Sequence, residues 1–218
     1  MKKGFTLSEV LVTLTVIGII AAITIPSIAI NFHRHVQYVA FMKMYSTLSS
    51  VMELAQADHK KPNRWTFDPN NRTQVLRDNI YPYLNIAQIC EAQGNEKCVD
   101  YMITALSGGE SANASIFMQG GGHTVFLDDG TILATYCNLS IDGGVKVITF
   151  IFDTNGDKKP NTAGRDIFVM DYTADENGKW GFLLDGDTYG AQNCNPSDPD
   201  STGEGCPSRL IDEGKMNY

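Results

Sequence analysis

The sequence predicts an α+β fold in which a long N-terminal helix, membrane-spanning in its first half, packs on a C-terminal antiparallel β-sheet. Three observations lead to this prediction. Residues 5–30 form an apolar run, residues 31–61 repeat apolar side chains every three or four positions, and the residues after 116 alternate with a period of two. A chain of 218 residues has room for one domain and an anchor.

The apolar run at residues 5–30 is expected to cross a membrane as a helix. Residues 10–30 carry no charge, and about 20 apolar residues rising 1.5 Å each span the hydrocarbon core of a bilayer. A secretory signal peptide would have a shorter apolar core, followed by a cleavage site of small residues. Lys2 and Lys3 precede the run, so the N-terminus is expected in the cytoplasm and the chain after about residue 30 on the other side.

Beyond the membrane, the helix is expected to continue over residues 31–61. Basic residues and a proline at residues 59–62 indicate its end, so the whole helix would be roughly 80 Å long. One face of this second half is apolar at helical spacing and is expected to pack on the sheet. Its members are Val36, Val39, Ala40, Met44, Leu48, Val51, Met52 and Ala55.

Residues 62–218 are expected to form a globular α+β head. A weak helical pattern covers residues 73–89 and is interrupted by Pro82, and a short helix is expected at residues 99–106. The tail at residues 189–207 is rich in Asn, Gly, Ser, Asp and Pro. Such a composition would have no fixed shape without a disulfide.

The strands of the head are predicted from alternating patterns and one turn signal. Asp128, Asp129 and Gly130 separate two alternating runs, which predicts a β-hairpin over residues 123–136. Three further strands are predicted at residues 145–152, 167–172 and 180–184.

The net charge of −8 bears on the kind of partner the chain binds. An acidic protein of this size repels phosphate backbones, so binding to nucleic acid through a broad basic face is not expected. The same charge is compatible with binding a divalent cation.

Five cysteines favour disulfides over a zinc or thioredoxin-type site, because no C-x-x-C spacing is present. Five cysteines allow fifteen ways of forming two bonds: five choices of the leftover thiol, times three pairings of the remaining four. Proximity in sequence favours Cys90 with Cys98 and Cys194 with Cys206. Cys137 would then be a free thiol, buried in a strand.

Glu9 is the one acidic residue in the apolar run. A carboxylate in hydrocarbon costs about 2.5 to 3.5 kcal/mol on insertion scales unless it is paired. In the sequence, Glu9 comes after a short basic leader, Lys2-Lys3-Gly4, and the segment Phe5-Thr6-Leu7-Ser8. This start resembles the type IV pilin and type II secretion pseudopilin family, whose precursors have a basic leader ending in Gly, then Phe, then an apolar helix with Glu at the fifth mature position.

The resemblance implies a processing step and an assembly role. A membrane prepilin peptidase would cleave between Gly4 and Phe5, so that residues 1–4 are the leader, and the new Phe5 amine would be methylated. Glu9 would pair with the Phe5 ammonium group of a neighbouring subunit when helices leave the membrane for a filament. Implied partners are other pilin or pseudopilin subunits, the peptidase and an inner-membrane assembly platform. The protein would be a single-pass protein of the bacterial inner membrane with a periplasmic head, or part of a surface filament if it is a true pilin.

Gly18 and Pro26 are candidate helix-breaking positions. Proline removes a backbone hydrogen bond and glycine weakens a helix, so the segment between them is predicted to bend or unwind. In assembled filaments of the family a stretch so placed is often melted. The alternative is that a membrane helix tolerates both residues without consequence.

The loop at residues 153–166 is the candidate cation site. It offers oxygen ligands between two predicted strands, which suits calcium, although it lacks the pattern of an EF-hand. Some pseudopilins carry calcium in a loop of the C-terminal sheet, whereas clusters of this composition also form plain turns. The candidate ligands are Asp153, Asn155, Asp157, Asn161 and Asp166.

The function predicted from these features is a structural subunit rather than an enzyme, because no nucleophile arrangement is recognisable. The acidic loop favours a type II secretion pseudopilus, and the Cys194–Cys206 tail favours a type IV pilus. The alternative from another class is a membrane-anchored periplasmic binding or adhesion protein that does not polymerise. A tethered hydrolase using Asp153 or Asp166 is the weakest alternative.

Overall fold

The computed structural model describes residues 4–65, 72–90, 98–99, 101–109, 124–139, 144–183 and 193–218. Within these ranges a long N-terminal helix is followed by a six-stranded antiparallel sheet, which confirms the predicted α+β architecture. Lys2 and Lys3 of the predicted leader, His123, Leu184 and residues 189–192 lie outside the described residues.

The first helix, α1, covers Leu7–His59 and is 53 residues or roughly 80 Å long. Its N-terminal half is long and apolar enough to cross a membrane, and none of that apolar window is buried against the head. Phe5, just before the helix, is 90% exposed, and Ile30, at the end of the apolar run, is 53% exposed. An uncovered apolar surface of this extent marks an interaction with lipid or with other protein.

The second half of α1 packs on the sheet, beginning at Phe41. Val36 and Val39 were predicted to belong to the packed face, but both are about half exposed, and the fully buried residues of the helix begin at Phe41. The Phe41 ring lies 4.8 Å from that of Phe168 and 6.2 Å from that of Phe152, measured between centroids. The buried residues of α1 are Phe41, Met44, Leu48, Val51, Met52 and Ala55.

The sheet is a meander in which each strand pairs with the next along the chain. The turn at residues 128–130 joins the second and third strands, as predicted, whereas residues 90–123 separate the first strand from the second. The strands are β1 (Ile86–Ile89), β2 (Thr124–Leu127), β3 (Ile132–Leu139), β4 (Val145–Asp153), β5 (Ile167–Ala174) and β6 (Trp180–Phe182).

Both faces of the sheet are covered, because successive side chains of a strand point to opposite faces. Phe150 and Phe152 of β4 lie in the large core that includes α1, whereas Ile151 between them lies in a smaller cluster with Val99 and Ile103. The segment at residues 99–106 was predicted to be a short helix. It instead forms turns and a backbone bridge from Thr104 to Thr162, on the face away from α1.

Two further elements differ from the sequence prediction. The helical pattern at residues 73–89 resolves into the helix α2 (Arg72–Asn79), a 3-10 turn (Tyr81–Tyr83) and β1, because pairing with β2 draws the last residues into the sheet. A helix that was not predicted, α3 (Cys206–Glu213), begins at the end of the polar tail. Its signals are a proline in the first turn and Gly214 with left-handed backbone at the C-terminal end.

Candidate functional site

The start of α1 holds the residues predicted for processing and assembly. Thr6 is the N-cap, and its hydroxyl accepts a hydrogen bond from the Glu9 backbone N–H at 3.3 Å. Glu9 Oε2 in turn accepts from the Thr6 backbone N–H at 2.8 Å and from Thr6 Oγ1 at 2.7 Å. This reciprocal arrangement is a capping box, which satisfies backbone donors that a helix start otherwise leaves unpaired.

Gly4 and Phe5 precede this cap in extended chain and are exposed. An added Cβ at Gly4 would meet no other atom, so the glycine is not required by packing within the described chain. A free amine created at Phe5 would lie one residue from the cap and close to the Glu9 carboxylate in sequence. The geometry therefore leaves the Gly4–Phe5 peptide bond accessible.

Gly18 and Pro26 lie inside a helix that is continuous in the structure. Gly18 has open space around it, so no neighbouring element requires its small size. Pro26 removes one backbone hydrogen bond without ending the helix. Melting of the segment between them stays a prediction about the assembled state.

The second candidate site is the loop between β4 and β5. Asp153 is the last residue of β4, and Asp166 directly precedes β5, so the sheet register brings the two carboxylates to the same end. Asp166 Oδ2 accepts from the Asn161 backbone N–H at 2.9 Å and from Asn155 Nδ2 at 3.1 Å. Asp153 Oδ1 accepts from the Asn155 backbone N–H at 3.1 Å. Four of the five predicted ligands therefore form one network.

The network is buried and electrostatically costly. Asp153 and Asp166 are fully buried, and burial raises the pKa of Asp153 to about 7, with the neighbouring Asp166 charge acting in the same direction. Burial also raises the pKa of Asp166, although backbone N–H groups of Thr162 and Asn161 partly oppose it. A buried carboxylate without a cation favours its protonated form.

Two oxygens of the same loop have no partner. The Oδ1 atoms of Asn155 and Asn161 are buried and accept no hydrogen bond from any described residue. Asn161 has a left-handed backbone with φ +50°, a conformation that asparagine tolerates better than most residues. Amide oxygens and carboxylates are the types of ligand that a hard cation such as calcium takes.

The structure does not bring Asp157 into the network. Its side chain is exposed and lies outside the hydrogen-bond network of the described loop, although it too was predicted as a ligand. Across the described parts of the chain, no group of three or more His, Cys, Asp or Glu side chains is arranged to hold a metal ion. A cation at this loop would therefore depend on the asparagine oxygens.

The structure contains two disulfides, Cys90–Cys98 and Cys194–Cys206, which are the pairs that sequence proximity favoured. Cys137 is a free, buried thiol in β3, and burial raises its pKa to about 12. The Cys194–Cys206 bond lies beside the loop between β4 and β5. A Cβ added at Gly164 of this loop would be 2.5 Å from Cys206 Sγ.

Sequence reasoning missed two residues at these sites. Thr6 was identifiable, since a Thr three residues before a Glu at the start of an apolar helix is the signature of a capping box. Tyr101, whose hydroxyl donates to Asp153 Oδ2 at 2.5 Å, was not, because a contact between residues 52 positions apart leaves no local pattern.

Comparison with known proteins bears on the N-terminal site. Residues 1–25 match the family model described as the prokaryotic N-terminal methylation motif. No curated protein and no solved structure significantly matches the chain. The match confirms the resemblance inferred from Gly4, Phe5 and Glu9, and the motif implies processing by prepilin peptidase and assembly with other pilin subunits. The chain thus carries the N-terminal signature of type IV pilins and pseudopilins at the start of a pilin-like α+β fold.

Proposed function

We propose that the protein is a filament subunit, either of a type II secretion pseudopilus or of a type IV pilus, that assembles through α1. One observation carries the proposal: the matched motif lies on a helix whose apolar half is uncovered by the head, with Glu9 near its start. A bilayer can cover this surface before assembly, and neighbouring helices can cover it afterwards.

The role proposed for Glu9 follows from the cost of charge in hydrocarbon. Cleavage between Gly4 and Phe5 would create an ammonium group, and pairing this group with Glu9 of a neighbour would replace two separately buried charges with one pair. The pair would also define the axial stagger between subunits. Residues 31–218 would then face the periplasm, with the N-terminus in the cytoplasm before extraction by the inner-membrane assembly platform.

Pseudopilus and pilus differ in the length and location of the filament. The oxygen-rich loop at residues 153–166 supports the pseudopilus, and the C-terminal Cys194–Cys206 bond supports the pilus. Electron microscopy of cells expressing the protein with its native assembly genes separates the two. Long extracellular fibres indicate a pilus, whereas a pseudopilus stays within the envelope.

The mass of the N-terminal peptide, measured on protein extracted from membranes, tests the proposed processing. We expect a peptide that begins at Phe5 and carries one added methyl group. A Gly4→Leu variant is the control, because it should keep the leader while inserting in the membrane. A wild-type peptide that begins at Met1, or beyond residue 30, would mean an anchored or secreted protein that does not polymerise.

We further propose that the loop at residues 153–166 binds calcium. The support is the pair of buried carboxylates, Asp153 and Asp166, beside the unpartnered oxygens of Asn155 and Asn161. Calcium would neutralise the carboxylates and take the amide oxygens as ligands. Its chemical role would be to stabilise the connection between β4 and β5.

Thermal unfolding of the full chain in detergent micelles tests the calcium proposal. Trp65 and Trp180 both lie in the head and report its unfolding by fluorescence. Calcium should raise the unfolding temperature relative to EDTA, and magnesium should raise it less, because an ion that binds only the folded state stabilises it.

The matched variants for this test are Asn161→Gly and Asp157→Asn. Glycine tolerates the left-handed backbone at residue 161 but removes the amide oxygen, so the calcium effect should be lost. Asp157→Asn changes an exposed residue outside the network and should retain the effect. An equal calcium response in Asn161→Gly would contradict the site.

A further inference from the structure

A cavity of about 570 Å³ lies between α1 and the loop connecting β4 to β5. Its helix side includes Ile30, His33 and Arg34, and its loop side includes Asn155, Lys159 and Arg165. Ile30 is the last residue of the charge-free run, so the cavity opens where the apolar segment ends. If the apolar segment spans the bilayer as proposed, the cavity lies at the level of the lipid headgroups.

The cavity is basic in a protein whose net charge is −8. Arg34, Lys159 and Arg165 form no ion pair with any of the described residues. The acidic and basic groups of the loop lie in different places. Asp153 and Asp166 are fully buried and hydrogen-bonded within the loop, whereas Lys159 is exposed at the cavity. Three unpaired cations around one cavity favour an anionic occupant.

Two polar atoms of opposite sense remain without a partner among the lining residues. Arg34 Nε is a buried donor with no acceptor, and Asn155 Oδ1 is a buried acceptor with no donor in the described chain. Leaving a buried donor or acceptor without a partner is unfavourable. An anionic oxygen of an occupant could accept from Arg34, whereas Asn155 Oδ1 belongs to the loop network proposed as the calcium site.

We propose that this cavity binds the headgroup of an anionic phospholipid of the phosphatidylglycerol type. The phosphate would accept from Arg34 and interact with Lys159 and Arg165. A free phosphate ion shares the anionic chemistry, but it brings no acyl chain to lie along the apolar surface below Ile30. The inference rests on the proposed insertion of α1 in a bilayer. It goes beyond assembly, because lipid binding would fix the position of the head relative to the membrane surface.

Native mass spectrometry of the full chain in detergent tests the site. The protein is titrated with phosphatidylglycerol and, separately, with phosphatidylcholine of the same acyl chains. The test variant is Arg34→Gln/Arg165→Gln. The matched control, Lys60→Gln/Arg64→Gln, removes the same charge from exposed positions. These positions lie just after the C-terminal end of α1, about 40 Å from Arg34 at a rise of 1.5 Å per residue.

We expect the wild-type chain and the control to bind phosphatidylglycerol equally well and more tightly than phosphatidylcholine. The test variant should bind phosphatidylglycerol about 25-fold more weakly, at about fivefold for each cation removed near an anionic headgroup. Lys159→Gln, which changes only an exposed side chain, should lose about fivefold on the same basis and covers the case in which the double variant unfolds.

Three outcomes would overturn the proposal. These are equal affinity for the two lipids, unchanged affinity in both Lys159→Gln and the double variant, and displacement of phosphatidylglycerol by an excess of inorganic phosphate. The last would assign the cavity to free phosphate. Carbonate extraction of membranes from the expressing cells measures the insertion of α1 independently. This measurement distinguishes failure of the lipid site from failure of the proposed anchor.

Discussion

Thr6 and Glu9 join the first turn of α1 through three hydrogen bonds, two of which end on the same carboxylate oxygen of Glu9. Glu9 therefore has a partner within its own chain before another subunit approaches. The carboxylate caps the helix start and, as proposed, supplies the charge that pairs with a neighbour during assembly. The two roles need different chemistry, because a cap needs an acceptor oxygen and a charge pair needs an anion.

Glu9→Gln separates the two roles. The amide keeps an oxygen that accepts from Thr6 but carries no charge, so we expect membrane insertion to persist and filament assembly to fall at least tenfold. The measurement is the amount of sheared or cross-linked filament per cell beside carbonate-resistant protein in membranes.

Thr6→Ala is the complementary variant, because it removes the cap and keeps the charge. Loss of an N-cap typically costs about 1 kcal/mol, so assembly should fall by less than in Glu9→Gln. If Thr6→Ala abolished filaments while Glu9→Gln did not, capping rather than charge would be the assembly role of Glu9.

The stability of the head should rise on mild acidification. Burial raises the pKa of Asp153 from its ordinary value of 3.8 to about 7, so between these pH values the folded state holds a proton that the unfolded state has lost. The free energy of unfolding therefore falls as pH rises from about 4 to about 7, by at most about 1.4 kcal/mol per pH unit for this group. Unfolding followed by tryptophan fluorescence in EDTA at pH 5.5 and 7.5 measures it.

Asp153→Asn is the control for this pH dependence. The amide cannot ionise, so the contribution of residue 153 to the slope should vanish and the variant should be the more stable form near pH 7.5 in EDTA. A wild-type slope unchanged by Asp153→Asn would show that other groups dominate the titration.

Removal of the Cys194–Cys206 bond should destabilise the head strongly. The bond closes a 12-residue separation, for which the chain-entropy model predicts about 3 kcal/mol, and Cys206 is fully buried in the main core. A Cys194→Ser/Cys206→Ser variant should unfold roughly 6 to 12 °C lower, at about 2 to 4 °C per kcal/mol for a domain of this size.

Cys90→Ser/Cys98→Ser provides the comparison. Its bond closes a separation of only 8 residues next to the edge strand β1, so the loss should be smaller. A larger loss than for the C-terminal bond would contradict the expectation based on the shorter separation.

Phe41→Ala should uncouple α1 from the sheet. Its ring contacts Phe152 and Phe168, and deletion of a fully buried phenylalanine typically costs about 3 to 5 kcal/mol. Val39→Ala, two residues earlier and 50% exposed, should change the free energy of unfolding by less than 1 kcal/mol, roughly the range of surface substitutions. Comparable losses in the two variants would contradict the packing described for α1.

The helix and most strands could be predicted from the sequence because each has a local signal. Apolar spacing marked α1, and the Asp-Asp-Gly turn with its flanking alternation marked β2 and β3. The strand β1 was missed because its four residues are decided by pairing with β2. Phe41 was left out of the packed face because the point where the head first covers the helix is a tertiary property.

The candidate cation site at residues 153–166 could also be predicted only in part from the sequence. Its residue types and spacing predicted an oxygen-rich cluster, and the register of β4 with β5 brings Asp153 and Asp166 together. Sequence pattern did not separate the buried Asn161 from the exposed Asp157, because burial depends on how the segment at residues 101–109 covers the loop. The cavity beside Arg34 also required the fold, since its two sides are more than a hundred residues apart in the chain.

The position of Cys137 bears on how the chain acquires its correct cross-links. A thiol enclosed in β3 is withheld from oxidation once the meander has formed, and its raised pKa leaves little thiolate to attack another sulfur. Sheet formation ahead of oxidation would thus reduce the fifteen conceivable pairings to the three open to four cysteines. Of these three, the native one joins the nearest neighbours along the chain. Folding before oxidation would therefore favour the native disulfides, because it buries the unpaired thiol of Cys137.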